Sequence, residues 1–306
     1  MSQIHELLKL AGQLPDFFEE PQAPVKNASE IDLVNISVDQ ARPKPPAVPT
    51  QGAITSAEVI QEPSVNVVSQ NGSLGVPVTF APHEKLRILT DSADPRLAEY
   101  YRIIRTNILQ QRSNSAFRSL LVASPGAQEG KSLTVLNLAL TFAMLPSFRV
   151  LVVDGDLRNG NLGASLGLED SLGFSNFIEG GAKLEEVILK CDTLPMQFMR
   201  RGNAKLSPAE LLQSPLLGKQ IRKLTEHFDL VLIDSPPATM FADTKLLASV
   251  CDGVLLVARA FSTTGKVLKQ VYEDLQQFRI VGAVLNGVIQ PRSRRYHYYY
   301  GAGLDQ

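Results

Sequence analysis

The 306-residue chain contains no apolar run close to the ~18 residues that crossing a bilayer requires. A membrane-spanning helix is therefore not expected. The opening "MSQIHELLKLAGQL" has no basic stretch ahead of an apolar one and no small-residue cleavage site, which argues against a secretory signal. Cysteine is scarce. Cys191 and Cys251 stand too far apart for metal-ligand spacing, and two buried thiols in a reducing compartment are expected. A cytoplasmic location is the resulting expectation. The formal net charge of -1 leaves no basic excess to attract nucleic acid. Tyrosine is missing from Arg102 to Val271. Four of the seven tyrosines crowd instead at Tyr296, Tyr298, Tyr299 and Tyr300, beside Arg292, Arg294 and Arg295.

Proline is unevenly spread. Eleven of the 19 prolines lie between Pro15 and Pro95, and "ARPKPPAVPTQGA" has neither helical nor strand period. Residues 1–90 carry 6 Lys/Arg against 10 Asp/Glu with few aromatics. Such a segment buries too little apolar surface to offset its chain entropy, so 20–83 is predicted to be a disordered linker. Ahead of it, Ile4, Leu7, Leu8 and Ala11 repeat at helical spacing. A short amphipathic helix over 1–19 follows, either a docking element for a partner or a frayed end.

From residue 84 the texture changes. "RSLLVAS" (118–124), "FRVLVVDGD" (148–156), "FDLVLIDSPP" (228–237), "DGVLLVARA" (252–260) and "RIVGAVLNGV" (279–288) read as buried strands, with a weaker one at "MQFMRRG" (196–202). Helical patterns separate them, the first at "GKSLTVLNLALTFAML" and others near 208–226, 241–250 and 265–278. Continuous apolar strands bounded by helices predict an α/β fold with a parallel sheet covered on both faces. The expected domain spans 84–290, with a tyrosine-rich tail over 291–306.

Every polar motif falls at the end of a predicted strand, where such folds hold ligands. In "SPGAQEGKS" (Ser124–Ser132), Gly130, Lys131 and Ser132 form the G-K-[ST] end of a phosphate-binding loop, although Pro125 stands where the strict pattern has glycine. Backbone N–H groups of Gly126, Gln128, Glu129, Gly130, Lys131, Ser132 and Leu133 would cradle phosphates, with Lys131 on the β/γ oxygens and Ser132 on Mg²⁺. "VLVVDGDLR" sets Asp154, Asp156 and Arg158 beyond the next strand, and paired carboxylates there are costly unless they face a cation or water. "LVLIDSPP" ends its strand on Asp234, the position of a Walker B carboxylate that meets the same Mg²⁺. Three such elements in this order predict a P-loop nucleotide-binding domain.

The H-R-D, D-F-G and V-A-I-K set of eukaryotic protein kinases is absent. The D-x-D-x-R run and "DSPP", together with "EYYRIIRTNI" (99–108), "GFSNFIEGGAKLEEVI" (173–188), "LSPAELLQSP" (206–215), "VLNGV" (284–288) and the terminal tyrosines, resemble the bacterial P-loop tyrosine autokinases of capsule and exopolysaccharide export. The resemblance covers 84–306. It implies an ATP- and Mg²⁺-dependent protein-tyrosine kinase of deviant P-loop type. Lys131, Asp154, Asp156 and Asp234 would be catalytic, and Ser132, Asp156 and Asp234 would hold the metal. Arg158 and Asn286 would join the nucleotide site. Asn286 would read the adenine or simply brace a turn. Tyr296, Tyr298, Tyr299 and Tyr300 would be autophosphorylated by a neighbouring subunit. Which of Asp154 and Asp156 orients or deprotonates the incoming hydroxyl stays open.

Glu99, Arg102 and Arg105 stand three apart on a predicted helix, matching the family's E-x-x-R-x-x-R ring-assembly pattern; the plain alternative is an intrahelical ion pair. The resemblance further implies a transmembrane polysaccharide co-polymerase as activator, recruiting the kinase to the inner face of the plasma membrane, and a cognate phosphotyrosine phosphatase. Ala127-Gln128 in place of a more usual Pro-Gly, and the missing proline in "NGNLGASLGL", depart from the family pattern. A partition-type switch ATPase is the rival from another class. It usually carries a lysine near the start of the loop, and none lies between Ser124 and Gly130. An ATP-binding scaffold without transfer activity is a second rival. A dinucleotide enzyme is excluded because no G-x-G-x-x-G follows the first strand.

Overall fold

The computed structural model describes residues 74–82, 95–114, 116–191 and 194–288. The N-terminal helix, most of the linker and the tyrosine tail expected from the sequence lie outside the described residues. In chain order the elements are β1 (Val76–Val78), α1 (Pro95–Asn114), β2 (Ser119–Ala123), α2 (Lys131–Ala143), β3 (Val150–Asp154), α3 (Leu162–Ser165), α4 (Phe174–Glu179), α5 (Leu184–Val187), β4 (Leu189–Cys191), β5 (Gln197–Met199), α6 (Pro208–Gln213), α7 (Leu216–His227), β6 (Leu230–Asp234), α8 (Asp243–Ala248), β7 (Gly253–Arg259), α9 (Gly265–Leu275) and β8 (Ile280–Asn286).

The eight strands form one sheet in the order β1-β4-β5-β3-β6-β2-β7-β8. Its central strands are fully buried pentads, apolar except for Ser119, Asp154 and Asp234 at their ends, which is why their hydrophobic runs are continuous rather than alternating. Their side chains still divide by parity. Leu120, Val122, Val150, Val152, Leu230 and Leu232 join the core under α1 and α2. Leu121, Ala123, Leu151, Val153, Val231 and Ile233 join the core on the other face, with α4, α6 and α7. Helix α2 is apolar nearly all round because it lies between the sheet and α1; ten of its residues are buried.

Three findings revise the expected pattern. The sheet is not wholly parallel, since β4 pairs antiparallel with β5. The helix expected over 208–226 is two helices, because Ser214 and Pro215 turn the chain between α6 and α7. The folded region also begins before residue 84: β1 pairs parallel with β4, and Phe80 is buried edge-on against Phe198 with ring centroids 6.1 Å apart. A three-residue strand inside a proline-rich stretch has too short a period to be seen in sequence.

Among the described residues, no helix is long and apolar enough to cross a membrane. The Phe80 contact supplies a test of the early boundary. Phe80→Ala should lower unfolding stability by about 3 kcal/mol, as for other buried phenylalanines, and urea titration measures it.

Candidate active site

Strand register builds the site. β3, β6 and β2 are adjacent, and Asp154 lies opposite Asp234, which lies opposite Val122 just before the loop that follows β2. The three polar motifs therefore converge at one level on the carboxyl edge of the sheet.

The Ser124–Gly130 loop turns sharply into α2. Gln128 and Gly130 take left-handed backbone conformations, with φ of 61° and 85°. Gly130 is required there twice over, since a Cβ would also sit 2.5 Å from Asn286 Nδ2. The loop is braced on all sides. Ser124 Oγ donates to Gly126 O (2.8 Å) and Thr134 Oγ1 to Gly130 O (2.9 Å). Arg259 Nη1 donates to Gln128 O (3.2 Å), and Thr239 Oγ1 to Pro125 O (2.8 Å). With its N–H groups at the start of a 13-residue helix, the loop is suited to polyanionic phosphate.

Lys131 is buried and its Nζ forms an ion pair with Asp234 Oδ1. Ser132 Oγ donates to the other oxygen, Asp234 Oδ2, at 2.5 Å. The two remaining aspartates differ. Asp156 Oδ1 accepts the N–H groups of Arg158 (3.2 Å) and Asn159 (2.9 Å), which folds the chain after β3 into a tight turn. Asp154 is 1% exposed; Oδ2 accepts Leu162 N–H (3.2 Å), while Oδ1 is buried without a hydrogen-bond partner. Burial, then the charges of Asp234 and Asp156, push the Asp154 carboxyl up to about 7. An orphaned buried carboxylate oxygen is expensive and marks a place where a ligand donor fits.

Several expected nucleotide ligands have partners within the fold. Arg158 forms two bonds to Asp243 (2.7 and 3.0 Å) and lies 4.4 Å from the centroid of the Phe241 ring, tying the turn after β3 to the start of α8. Asn286 is buried; its Nδ2 donates to Glu129 O (2.9 Å) and toward Thr134 Oγ1 (3.3 Å), while its Oδ1 is buried without a partner. Leu133 is half-buried against the core. On α1, Glu99 and Arg102 pair with each other at 3.0 Å, whereas Arg105 leaves them to donate to Thr141 O on α2 at 2.5 Å. The intrahelical pair is thus present, and only Glu99 and Arg102 stay fully on the exposed side.

Glu129 carries a feature that no motif signals. Its Oε1 accepts from Thr263 Oγ1 (2.8 Å), linking the phosphate loop to the turn after β7. Its Oε2 is buried and unpartnered, and burial raises the carboxyl to about 7. Thr263 lies 134 residues further on, so only the packed fold brings the two together.

Most of the described region resembles known proteins. An AAA domain family model matches residues 126–281. Tyrosine-protein kinase CpsD of Streptococcus agalactiae is 31% identical over 193 residues, spanning 62% of this chain and 83% of the relative. The chain belongs to the bacterial tyrosine-protein kinase family. Tyrosine-protein kinase YwqD of Bacillus subtilis is 29% identical over 204 residues, 66% of this kinase and 86% of that one. The kinase domain of VpsO superposes with a TM-score of 0.58 at 28% identity, covering 63% of this chain and 96% of that domain. The Escherichia coli ETK kinase domain shares the fold, with a TM-score of 0.61 at 24% identity over 72% of this chain and 92% of that one. The protein is accordingly a nucleotide-binding tyrosine-protein kinase.

The Glu129 environment predicts a pH effect. An acid whose folded pKa is raised stabilises the fold fully below the unfolded value near 4.5, and that contribution is lost as pH rises through about 7. Asp154 acts in the same sense in any variant and cancels in a comparison. Wild type should therefore lose more stability between pH 5 and pH 8 than Glu129→Gln, as read from paired urea titrations.

Proposed function

We propose that the kinase transfers the γ-phosphoryl group of ATP, with Mg²⁺, to tail tyrosines Tyr296, Tyr298, Tyr299 and Tyr300 of a neighbouring copy. The carrying observation is the meeting of Lys131, Ser132 and Asp234 below the phosphate loop, beside an Asp154 oxygen that has no partner. The donor set fits magnesium: a hydroxyl and a carboxylate are hard oxygens, and this ion keeps waters and phosphate oxygens as its other ligands. Ser132 and Asp234 would hold it, with Asp156 close by. Once bound, it would neutralise charge on the β- and γ-phosphates.

Lys131 would move from Asp234 to the phosphates when ATP arrives. In transfer, the tyrosine Oη forms a bond to the γ-phosphorus as the bond to the β–γ bridging oxygen breaks, and ADP leaves with that oxygen. The phenolic proton passes to a carboxylate. Asp154 is the better placed of the pair, because Asp156 already accepts two backbone N–H groups. Its raised pKa suits an acceptor working near neutral pH. Positioning and charge do most of the work in such a transfer.

By the resemblance noted above, the biological role would be control of exopolysaccharide or capsule polymerisation and export. A transmembrane co-polymerase would activate the kinase and hold it at the inner face of the plasma membrane. A phosphotyrosine phosphatase would reverse the modification, and a homo-oligomeric ring would present each tail to the next subunit.

Incubation with ATP and Mg²⁺, followed by intact-mass and tandem mass spectrometry, tests the reading. Wild type should acquire phosphate on the four tail tyrosines and Lys131→Ala should acquire none alone. Mixed with an active protein whose tail tyrosines are phenylalanine, Lys131→Ala should become phosphorylated. ATP hydrolysis by the wild type without phosphotyrosine would refute it in favour of a switch ATPase.

A further inference from the structure

A cleft of about 200 Å³ opens beside Asp154, lined by Gly160, Asn161, Gly163, Glu169, Asp170, Arg200 and Arg201 among others. Asp154 at 1% exposure is the one nearly fully buried acid of the lining, and its unpartnered Oδ1 lies beside Gly160 of the lining, where an added Cβ would come within 2.5 Å of it. The outer wall is the segment after α3. Glu169 and Asp170 are exposed there, and the Asp170 side chain is 71% accessible.

That wall is held in place. Arg200 Nη1 donates to Glu169 O (2.8 Å), and Arg201 Nη2 pairs with Asp170 Oδ2 (2.9 Å). The arginines are themselves fixed through their carbonyls, which accept Phe174 N–H (2.7 Å) and Ser175 N–H (2.8 Å). Gly173 permits this approach, since a Cβ would lie 2.3 Å from Arg200 O. Asp170 is thus already paired with Arg201, and the other charges of the wall are the Glu169 carboxylate and the Arg200 guanidinium, whose Nε is buried without a hydrogen-bond partner. Arg200 binds the backbone rather than the Glu169 carboxylate, and among the described residues no ion pair takes up that carboxylate. The exposed Glu169 carboxylate is the point of the wall where a cationic guest fits.

The tail offers one. In "SRRYHYYY", Tyr296 is the only tail tyrosine with an arginine two residues before it, at Arg294, and an arginine immediately before it, at Arg295. In an extended chain, residues two apart project from the same side roughly 6.6–7 Å apart, so a tyrosine in the cleft sets Arg294 along the wall. We propose that Glu169 and Asp170 select Tyr296 as the first acceptor by attracting Arg294 of a second copy's tail to the wall, with Arg295, which projects to the other side, adding positive charge to the same stretch. The inference rests on the reading that Asp154 receives the acceptor hydroxyl. β8, the last described strand, is an edge strand separated from β3 and β5 by β6, β2 and β7, which suits a tail supplied by a second copy.

Exposed ion pairs are weak and salt-screened, so the expected selection is about three- to tenfold at low ionic strength. The test uses an active kinase with its tail tyrosines changed to phenylalanine and the Lys131→Ala protein as substrate, with site occupancy followed in time by tandem mass spectrometry. Tyr296 should fill first. Glu169→Lys with Asp170→Lys in the kinase should erase its lead over Tyr298, Tyr299 and Tyr300, and Arg294→Glu with Arg295→Glu in the substrate should restore it. High salt should shrink the lead in the unmodified pair. Equal filling of all four tyrosines, or no restoration by the swapped charges, would overturn the inference while leaving tail phosphorylation intact. If the tail gains no phosphate, the broader reading fails instead. Anisotropy of a labelled 291–306 peptide on Lys131→Ala then still decides the contact: the lysine pair must weaken binding, and unchanged binding overturns it.

Discussion

The pairing of Asp154 with Asp234 across β3 and β6 is the constraint to which the rest of the site answers. Parallel register sets two buried carboxylates side by side, and Asp156 follows two residues later. Like charges in a low-dielectric setting are costly, and the fold offsets the cost unequally. Asp234 receives the Lys131 ammonium and the Ser132 hydroxyl. Asp156 receives backbone N–H groups. Asp154 is left with one oxygen unsatisfied and a pKa pushed to about 7. The asymmetry separates three chemically identical side chains into a lysine partner, a turn former and a carboxyl with one oxygen left open.

A phosphate loop has to be rigid before its ligand comes, because amides that must reorganise stabilise transferred charge poorly. Here distant elements add to the bonds that the loop and its helix make locally. Asn286 at the end of β8, Arg259 at the end of β7, Thr263 after β7, and Thr239 after β6 each hold one point of the loop. The Asn286 amide occupies the space that a side chain at Gly130 would need, so the left-handed glycine and the buried asparagine require each other. The turn after β3 is secured in the same manner by Arg158 on Asp243. Arginine's planar fork suits that carboxylate, and the Phe241 ring covers its face.

The acceptor side of the site is built differently. Its wall is solvent-facing, charged and fixed by carbonyl contacts from the extension of β5. A surface of this type discriminates by modest, screened electrostatics, which orders closely spaced tyrosines without holding any of them tightly. Weak selection suits a substrate that must leave after each transfer.

Much of this was legible in the residues alone. Continuous apolar runs followed by Gly-Lys-Ser, Asp-Gly-Asp and Asp-Ser-Pro-Pro announced parallel strands with a phosphate site at their carboxyl ends, because strand formation and loop chemistry follow from local residue pattern. The short strands β1 and β4 and the antiparallel β4–β5 pair were not legible, since three residues carry no measurable period and pairing partners are chosen by the whole sheet. Chain position could mark Arg158, Asn286 and Arg105 as candidates, but not that Asp243, the phosphate loop and α2 would engage them. The same holds for Glu129 beside Thr263, and for the cleft that joins Asp154 to Glu169 and Asp170. Sequence by itself determined the chemistry available and the strand ends that carry it. Only tertiary packing decided which carboxylate would be paired and which left open, because burial and partnership are properties of contacts between segments far apart in the chain.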